Sequence, residues 1–361
     1  MDSDKNNLRV LVVGCGNMGA SHAAAYQYID GFEICGLVST GGSKTVLNDR
    51  LGGGYAKFSD YEAALLQTRP DVVCISTYPD THEVFAVKAM EHGCHVFLEK
   101  PLADTLEGAM RVAEAATKYN RKLLIGYILR YHPSWKHFIN LSHTMGKPLV
   151  MRMNLNQQSQ GAEWEVHRNL LKSLSPIVDC GVHYIDVMCQ MTRSKPILVS
   201  AIGARLAEDI PQGNYNYGQL QIRFEDGSVG WYEAGWGPMI SETAHFIKDV
   251  FGPKGSVSII AKAASSEGKS SSIASHTKTE AIKVHYADLD EHQQFSKSDL
   301  WIDLHDEPDH QELCNREQLY FLKAINENLD LTESTADAIN SLMIALACDK
   351  SVKTGNVVRF D

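Results

Sequence analysis

The sequence predicts an α/β protein with two domains, and three observations support that prediction. Its 361 residues exceed the roughly 100–200 residues of one ordinary domain. The first third alternates strand-like apolar runs with helix-like stretches, which indicates βαβ crossovers and a parallel sheet covered on both faces. Consecutive strand-like runs then dominate, which favours a mostly antiparallel sheet. We therefore expect an N-terminal domain at residues 1–128 and a C-terminal domain at residues 129–361.

Apolar runs and capping residues define the elements of the N-terminal domain. The predicted strands are residues 8–13, 32–38, 57–58, 72–76, 95–98 and 122–126. The predicted helices are residues 18–28, 60–67, 81–92 and 105–119, with Ser59 and Asp104 as N-caps of the second and fourth.

The C-terminal domain begins with a predicted helix at residues 133–144. Its predicted strands are residues 149–156, 197–204, 216–224, 228–235 and 256–261, interrupted by a helix at residues 179–190. Residues 225–228 read as a hairpin turn, and residues 262–279, rich in Ser, Ala and Lys, read as an exposed loop. Two helices follow, at residues 310–326 and 335–348, the latter with Ser334 as a possible N-cap.

Composition excludes several classes of function. With 34 basic and 44 acidic side chains, the formal net charge of −10 disfavours nucleic acid as the main partner. Apolar runs are far shorter than the roughly 20 residues that span a bilayer, and the polar N-terminus does not read as a secretory signal. The eight cysteines include no CxxC pair, so we expect reduced thiols and a cytoplasmic protein.

A glycine-rich turn follows the first strand. Gly14, Gly16 and Gly19 fit G-x-G-x-x-G between a strand and a helix, which is the context that a dinucleotide-binding turn requires. The glycines allow a tight turn and close approach of a pyrophosphate, and the helix N-terminus at Asn17 and Met18 offers free N–H groups.

The end of the second strand bears on the choice of cofactor. An acidic residue that binds the ribose is expected there, but the chain has Ser39 and Thr40, followed by Ser43 and Lys44. Without a carboxylate a 2′-phosphate is not repelled, so the sequence favours NADP over NAD. Use of NAD, or of both, stays open if Lys44 is only a solvated loop residue.

Two further groups of residues have the chemistry of proton transfer. Lys100 follows the fifth strand, at the sheet edge where ligands bind, and its ammonium can stabilise a developing alkoxide, although an ordinary strand exit explains it equally. Asp179, His183 and Asp186 share one face of the predicted helix, where a carboxylate can orient the histidine. A buried core histidine is the alternative, and a metal site lacks an obvious fourth ligand.

Taken together, the motifs resemble the glucose–fructose oxidoreductase / inositol dehydrogenase / rhizopine catabolism (Gfo/Idh/MocA) family. The resemblance covers nearly the whole chain. It rests on the three glycines, on Glu99-Lys100-Pro101, on the Asp179/Gly181/His183/Asp186 pattern, and on the segments 77–82 and 130–133.

The resemblance implies a Rossmann domain, then an α/β domain with a large, mostly antiparallel open sheet that forms a homodimer or homotetramer. It implies NAD(P)-linked oxidation or reduction of a sugar, glycoside or cyclitol. Lys100 would face substrate and nicotinamide, His183 would transfer the proton, and Asp179 would be its partner or bind a substrate hydroxyl. The predicted cofactor contacts are Gly14, Gly16, Asn17, Met18, Gly19, Ser39, Thr40, Lys44, Thr77, Pro79, His82, Glu99 and Lys100.

The substrate side of the site is predicted from polar and aromatic residues of the C-terminal domain. No cluster of Arg or Lys suggests an anionic substrate, so a neutral polyol is the simplest expectation, while sheet packing is the alternative for each residue. The predicted substrate contacts are Lys100, Arg130, Asn156, Trp164, Asp179, His183 and Tyr232.

Two other functions remain as alternatives to a dehydrogenase. A glycoside hydrolase of the same fold would retain NAD and release an aglycone without net change in the cofactor. A dinucleotide-binding sensor would not need the proton-transfer pair, so the presence of both Lys100 and His183 argues against it.

Overall fold

A computed structural model describes residues 7–241, 247–260, 270, 277, 279–304 and 307–360. The chain divides into two compact units, Met1–Tyr131 with Gln311–Ile339, and His132–His310 with Asn340–Asp361. The predicted domains were contiguous, whereas here a late segment returns to the first unit. Apolar packing explains the return, because Phe321 and Ala324 are buried in the core of the first unit.

The first unit alternates strands and helices as its apolar pattern predicts. Its strands are β1 (Leu8–Val13), β2 (Phe32–Val38), β3 (Lys57–Phe58), β4 (Val72–Ile75), β5 (His95–Leu98) and β6 (Leu123–Ile125). Its helices are α1 (Asn17–Tyr28), α2 (Ser43–Arg50), α3 (Tyr61–Thr68), α4 (His82–Glu91), α5 (Leu106–Lys118) and, from the returning segment, α10 (His310–Asn326) and the start of α11 (Thr332–Thr354).

The six strands form one parallel sheet in the order β3-β2-β1-β4-β5-β6. Strand order reverses between β1 and β4, and ligands of such sheets bind outside the carboxyl ends of the strands at that point. The glycine turn after β1 therefore lies at the expected binding edge. This confirms the predicted fold class of the N-terminal domain.

Local details differ from the predictions at helix starts. Asp60, not Ser59, caps α3 by accepting the Ala63 N–H at 2.7 Å. Thr105, not Asp104, caps α5 by accepting the Gly108 N–H at 3.1 Å. Both true caps lie one residue later because only there does the side chain reach the free N–H groups of the first turn.

The second unit contains helices on one face of a long sheet. Its helices are α6 (Pro133–Ser142), α7 (Ala162–Leu170), α8 (Pro176–Asp179), α9 (Gly181–Thr192) and the later part of α11. Its strands are β7 (Val150–Gln158), β8 (Pro196–Ala204), β9 (Tyr217–Phe224), β10 (Val229–Gly237), β11 (Lys248–Gly252), β12 (Gly255–Ile260), β13 (Ala281–Tyr286), β14 (Leu300–Asp303) and β15 (Val358–Arg359).

Within the described residues these strands form one sheet, ordered β14-β13-β12-β11-β7-β10-β9-β8-β15. All neighbours are antiparallel except β10 and β7, so the predicted, mostly antiparallel sheet is confirmed. Registered pairs such as Tyr232 with Met153 and Leu220 point to the buried face. Their neighbours Trp231 and Arg152 point to the opposite, open face.

Two predicted helices differ from the structure, and one predicted loop lies mostly outside the described residues. The helix predicted at residues 179–190 is divided, because α8 ends at Asp179 and α9 begins at Gly181. The last helix begins at Thr332, before the predicted Ser334 cap. The loop predicted at residues 262–279 lies largely outside the described residues. Within the described residues, every helix is too short or too polar to cross a membrane. None of the eight cysteines is in a disulfide.

Candidate active site

The three glycines of the turn have different steric surroundings. Gly14 has a φ of +90°, and a Cβ there would lie 2.3 Å from the Ser76 carbonyl oxygen. A Cβ on Gly19 would lie 1.8 Å from the Gly14 carbonyl oxygen, whereas a Cβ on Gly16 would meet no heavy atom within 4 Å. The first and third glycines therefore allow the turn to close, and the second leaves its outer surface clear.

This clear surface lies at the start of α1. Gly16 is the N-cap and no side chain caps the helix, so the N–H groups of Asn17 and Met18 are not capped by a side chain. Helix N-termini attract anions through these groups and through the helix dipole. The arrangement suits the pyrophosphate of a dinucleotide, and the residues present fit such a group.

The loop after β2 gathers hydroxyl groups and one ammonium. Ser39 Oγ accepts the Lys44 backbone N–H at 3.2 Å and the Ser43 hydroxyl at 3.0 Å. The Lys44 ammonium donates to the carbonyl oxygens of Ser39 and Gly41, both at 2.8 Å. Residues 39–44 contain no carboxylate, so the local charge of this loop is positive.

The loops after β4 and β5 are held together by His82. This side chain is fully buried, with Nδ1 2.8 Å from the Pro101 carbonyl oxygen and Nε2 3.1 Å from that of Thr77. Burial lowers the pKa of His82, and its hydrogen bonds to the two carbonyls oppose that shift. His82, predicted as a cofactor contact, therefore holds the backbone of the two loops from inside the fold. Thr77 and Pro79 lie on the loop after β4.

Lys100 lies just beyond β5 and is partly exposed, whereas the neighbouring Glu99 is buried. Sequence reasoning missed the partner of that carboxylate, His22 on α1, at 2.7 Å. Arg130 is tied by its guanidinium to the carbonyl and hydroxyl oxygens of Ser334, at 3.1 and 2.7 Å, and lies over the ring of Tyr127. These contacts hold the Arg130 side chain against other residues of the first unit.

In the second unit, Asp179 ends α8 and His183 lies in the first turn of α9, on either side of the junction between the two helices. Ser175 caps α8 by accepting the Val178 N–H and also donates to the partly buried Asp349 carboxylate at 2.6 Å. Asp179 and His183 are both partly exposed. Asp186 instead is buried, accepting from Gln190 at 2.7 Å, so the three residues of the predicted pattern do not share one exposed helix face.

The buried face of the sheet lies behind this junction. The Gln157 amide oxygen accepts the Trp236 indole N–H at 2.8 Å and the Cys180 thiol at 3.5 Å. The Tyr232 ring stacks on Tyr184 at 5.0 Å. Its hydroxyl is buried without a hydrogen-bond partner among the described residues. Tyr232 thus lies beside the junction, where a Cβ on Gly181 would come within 3.0 Å of its ring.

His167, on α7, belongs to the same group. It is one of the polar residues from which the substrate side is predicted, but it is not in the final set of predicted contacts. Its ring lies flat on Trp236 at 4.6 Å, and Nδ1 is 2.9 Å from Ser159 Oγ. Burial lowers its pKa to about 4, against the opposing effect of the Asp179 charge. A neutral, partly exposed imidazole here can bind a hydroxyl group. Its helix was not predicted, so only the lone polar ring in the sequence could have indicated it.

Two predicted substrate contacts lie elsewhere in the second unit. Asn156 pairs with Gly235 and bonds Glu233 at 2.6 Å on the open face, opposite Tyr232, so one small molecule cannot touch both through the sheet. The Trp164 indole N–H donates to Asp209 at 3.0 Å, in the same place as Arg168. The structure therefore separates Asn156 from Tyr232 by placing them on opposite faces of the sheet.

One cluster in the described residues has ligand types that bind metals. Atoms of His22, Cys314 and Glu317 lie within 4.8 Å of one another, all buried. Both ring nitrogens of His22 already have hydrogen-bond partners, Glu99 and Gln318. A metal would have to displace one of these bonds, so the cluster is better described as a hydrogen-bonded core.

Two family models match the chain. One, described as an oxidoreductase family with an NAD-binding Rossmann fold, matches residues 8–127. The other, the GFO/IDH/MocA C-terminal domain, matches residues 140–258.

Curated relatives and solved structures were compared as well. Inositol 2-dehydrogenase from Burkholderia ambifaria is 27% identical over 188 residues, 50% of this chain and 53% of that protein. D-glucoside 3-dehydrogenase from Escherichia coli is 26% identical over 183 residues, 50% of this chain and 52% of that protein. The chain thus spans about half the length of the curated relatives it matches.

Among solved structures, scyllo-inositol dehydrogenase from Lactobacillus casei, with bound NAD(H) and scyllo-inositol, has a TM-score of 0.76 at 20% identity. The match covers 98% of this chain and 99% of that one, and at this identity it establishes the fold alone.

Proposed function

Because this chain belongs to the Gfo/Idh/MocA oxidoreductase family, we propose that it is an NAD(P)-dependent dehydrogenase or reductase of a secondary hydroxyl or ketone on a sugar, glycoside or cyclitol. The observation that carries the proposal is the Gly14–Gly19 turn, in which two glycines are sterically required and the third leaves a clear surface. The names of the curated relatives, an inositol and a glucoside dehydrogenase, support the substrate class.

The nicotinamide cofactor, when bound, supplies the hydride acceptor or donor. The chain would hold its pyrophosphate at Gly16, Asn17 and Met18, where no side chain blocks the backbone or caps the helix. The Lys44 loop would hold the adenosine ribose. These residues supply binding and orientation but no redox chemistry of their own.

Proton transfer is assigned to residues of the two motifs. His183 accepts the proton of the reacting hydroxyl during oxidation and returns it during reduction, since an imidazole nitrogen can act as general base and, once protonated, as general acid. Asp179 orients the ring or binds a neighbouring hydroxyl. Lys100 donates a hydrogen bond to the reacting oxygen and stabilises its developing negative charge.

The contact surface for the polyol is proposed on the buried side of the second unit's sheet. The Tyr232 hydroxyl and the neutral His167 imidazole lie beside the Asp179 junction, and both can hydrogen-bond sugar hydroxyls. Arg152 bonds Asp249 and Arg168 bonds Asp209, and this pairing favours a neutral substrate.

A reduction screen tests the proposal. NAD(P)+ is offered with inositols, aldoses and aryl glycosides, the appearance of reduced cofactor is followed by absorbance, and the position oxidised in the product is found by NMR. We expect turnover with at least one neutral polyol. Release of aglycone without net cofactor reduction would instead identify the glycoside hydrolase alternative, and binding without either reaction would favour a sensor.

For the cofactor we propose a preference for NADP. It is supported by the absence of a carboxylate in residues 39–44 and by the hydroxyls and ammonium gathered there. We expect Lys44→Ala to lower kcat/KM for NADP by about 10- to 100-fold, as loss of a charge-assisted hydrogen bond does. Lys57→Ala, an exposed lysine on the neighbouring β3, is the matched control. A wild-type preference for NADH over NADPH would refute the proposal.

We also propose that the open face of the second unit's sheet joins copies of this chain as a homodimer or homotetramer. Trp231, Phe251 and Ile202 all lie on this face, and Phe251 and Ile202 are 38% and 64% exposed. Exposed large apolar side chains on one face of a sheet support an interaction surface there. Light scattering after chromatography should show an oligomer that Phe251→Arg with Ile202→Arg dissociates, and a monomeric wild type would contradict it.

A further inference from the structure

The buried histidine of α1 has two defined hydrogen bonds. His22 has no exposed surface, and its ring lies 4.5 Å from that of Phe97 on β5. Its Nε2 is 2.7 Å from Glu99 Oε1, and its Nδ1 is 3.1 Å from Gln318 Nε2 on α10. Each ring nitrogen therefore meets one polar side chain in a space without water-exposed surface.

The partners of Gln318 determine which nitrogen carries the proton. The Tyr26 hydroxyl donates to Gln318 Oε1 at 2.7 Å, and burial raises the pKa of Tyr26 well above its usual value, so this hydroxyl stays protonated. The amide oxygen thus accepts, and the amide nitrogen donates to His22 Nδ1. Since Nδ1 accepts, the ring proton lies on Nε2, which donates to Glu99.

The Glu99 carboxylate passes this constraint to the next residue. It is 5% exposed, and its Oε2 accepts the backbone N–H of Lys100 at 3.1 Å. A Cβ on Gly126, just past β6, would lie 3.2 Å from Oε1, so glycine leaves the space that the carboxylate occupies. A buried carboxylate with two donors is stable as an anion, whereas one that loses a donor is costly.

A second buried carboxyl group, that of Glu317, is influenced by the charge of Glu99. It is buried on α10, and burial, followed by the Glu99 charge, raises its pKa well above the usual value. This shift favours the neutral form of Glu317, which reduces charge repulsion with the Glu99 carboxylate.

We propose that His22 is a positioning residue for Lys100, acting through the Glu99 carboxylate that anchors the Lys100 backbone. The inference rests on the proposed function only for its effect on turnover. Without the Nε2 donor, the carboxylate rotates or moves toward other donors, and the Lys100 peptide loses its anchor. A displacement of about 1 Å at a reacting group costs on the order of 10²-fold in rate.

Two substitutions separate hydrogen bonding from packing. His22→Phe keeps a ring against Phe97 but removes both polar nitrogens, whereas His22→Gln retains an N–H donor the same number of bonds from Cβ. Tyr61→Phe is the matched control, because it also removes one buried hydrogen bond of the first unit, to the Phe85 carbonyl oxygen at 2.8 Å. Each variant is made in wild-type and Lys100→Ala backgrounds.

Two measurements are made on each protein. Steady-state kinetics with the polyol found in the screen give kcat, and fluorescence titration gives the dinucleotide Kd. Separately, limited acylation with an amine-reactive ester, mapped by mass spectrometry, gives the labelling rate of Lys100 relative to Lys88, and this needs no turnover.

The expected result is a fall in kcat of on the order of 10²-fold for His22→Phe. The dinucleotide Kd of His22→Phe and the kcat of Tyr61→Phe stay within a few-fold of wild type. His22→Gln restores most of the rate. In the Lys100→Ala background His22→Phe costs nothing further, because residues that act as a unit are not additive. Lys100 labelling rises severalfold in His22→Phe.

Equal losses in both backgrounds, or a Kd that weakens as much as kcat falls, would overturn the inference and assign His22 to the fold. If the wild type turns over no polyol, the proposed function fails, and the labelling decides the inference alone. Faster labelling of Lys100 in His22→Phe but not in His22→Gln then supports it, and equal labelling overturns it.

Discussion

Substitution of the second and third glycines by alanine should separate ligand binding from folding. Both residues belong to the same turn, and both changes add one methyl group. At Gly16 that methyl meets no heavy atom within 4 Å, and at Gly19 it lies 1.8 Å from the Gly14 carbonyl oxygen. The two variants are therefore controls for each other.

The expected stability changes follow from these distances. Ordinary contact begins near 3.4 Å, so the Gly19→Ala methyl is far inside it, against backbone that cannot rotate away. Overpacking of this kind costs about 3 kcal/mol, and the helix propensity of alanine returns about 1 kcal/mol, which leaves a loss of about 2 kcal/mol. That corresponds to a fall in Tm of about 4–8 °C.

Gly16→Ala should leave the fold intact. The φ of −78° and ψ of −163° are open to any residue, so we expect a stability change within about 1 kcal/mol. The methyl instead occupies the surface that a pyrophosphate approaches, and the dinucleotide Kd should rise about 10- to 100-fold. Differential scanning fluorimetry and fluorescence titration measure the two effects. Unchanged Kd and Tm in Gly16→Ala would refute the assignment of this surface.

Three further outcomes are expected. Lys100→Ala and His183→Ala should each lower kcat by about 10²- to 10⁴-fold while dinucleotide Kd stays near wild type; near-normal turnover in both would contradict their roles. Burial raises the pKa of Glu317, so the folded state keeps a proton that the unfolded state loses above its ordinary pKa near 4.5, and stability falls as pH rises. Glu317→Gln removes this proton, so its Tm should exceed that of wild type by more at pH 8 than at pH 5. An equal difference at both pH values would refute the argument. Burial lowers the pKa of His95 to about 4, and its Nδ1 accepts the Lys122 N–H at 2.9 Å. The stability contributed by the neutral ring is therefore lost as pH falls from 6.5 toward 4. In urea unfolding, the free energy of unfolding of His95→Gln should fall less over this pH range than that of wild type.

Much of the first unit could be predicted because its signals are local. The bounds of β1, β2, β3 and β5 match the predicted strands residue for residue. Largely buried parallel strands such as β1 and β5 give near-continuous apolar runs, and each of these runs ends at a glycine or a polar residue. The glycine turn was equally readable, since a φ of +90° at Gly14 suits only glycine.

Elements with weak patterns were missed. Helix α2 is short and polar, and only Leu47 and Asn48 of its residues are buried, so it gives no apolar stripe to detect. The break between α8 and α9 was also missed, because Asp179 and His183 have the spacing of one continuous helix. The backbone changes element at Cys180, and spacing alone does not show this.

The sequence by itself determined the α/β class, the alternation of strands and helices in the first third of the chain, and the glycine turn. It also determined the motif residues Lys100, Asp179 and His183. Those features depend on backbone sterics and on burial patterns within a few residues. Only the tertiary structure decided that Gln318, 296 residues beyond His22, completes its hydrogen bonds, and that Asn156 and Tyr232 lie on opposite faces of one sheet. Hydrogen-bond partners and sheet faces are set by which distant segments pack together, and no local pattern in the chain encodes that pairing.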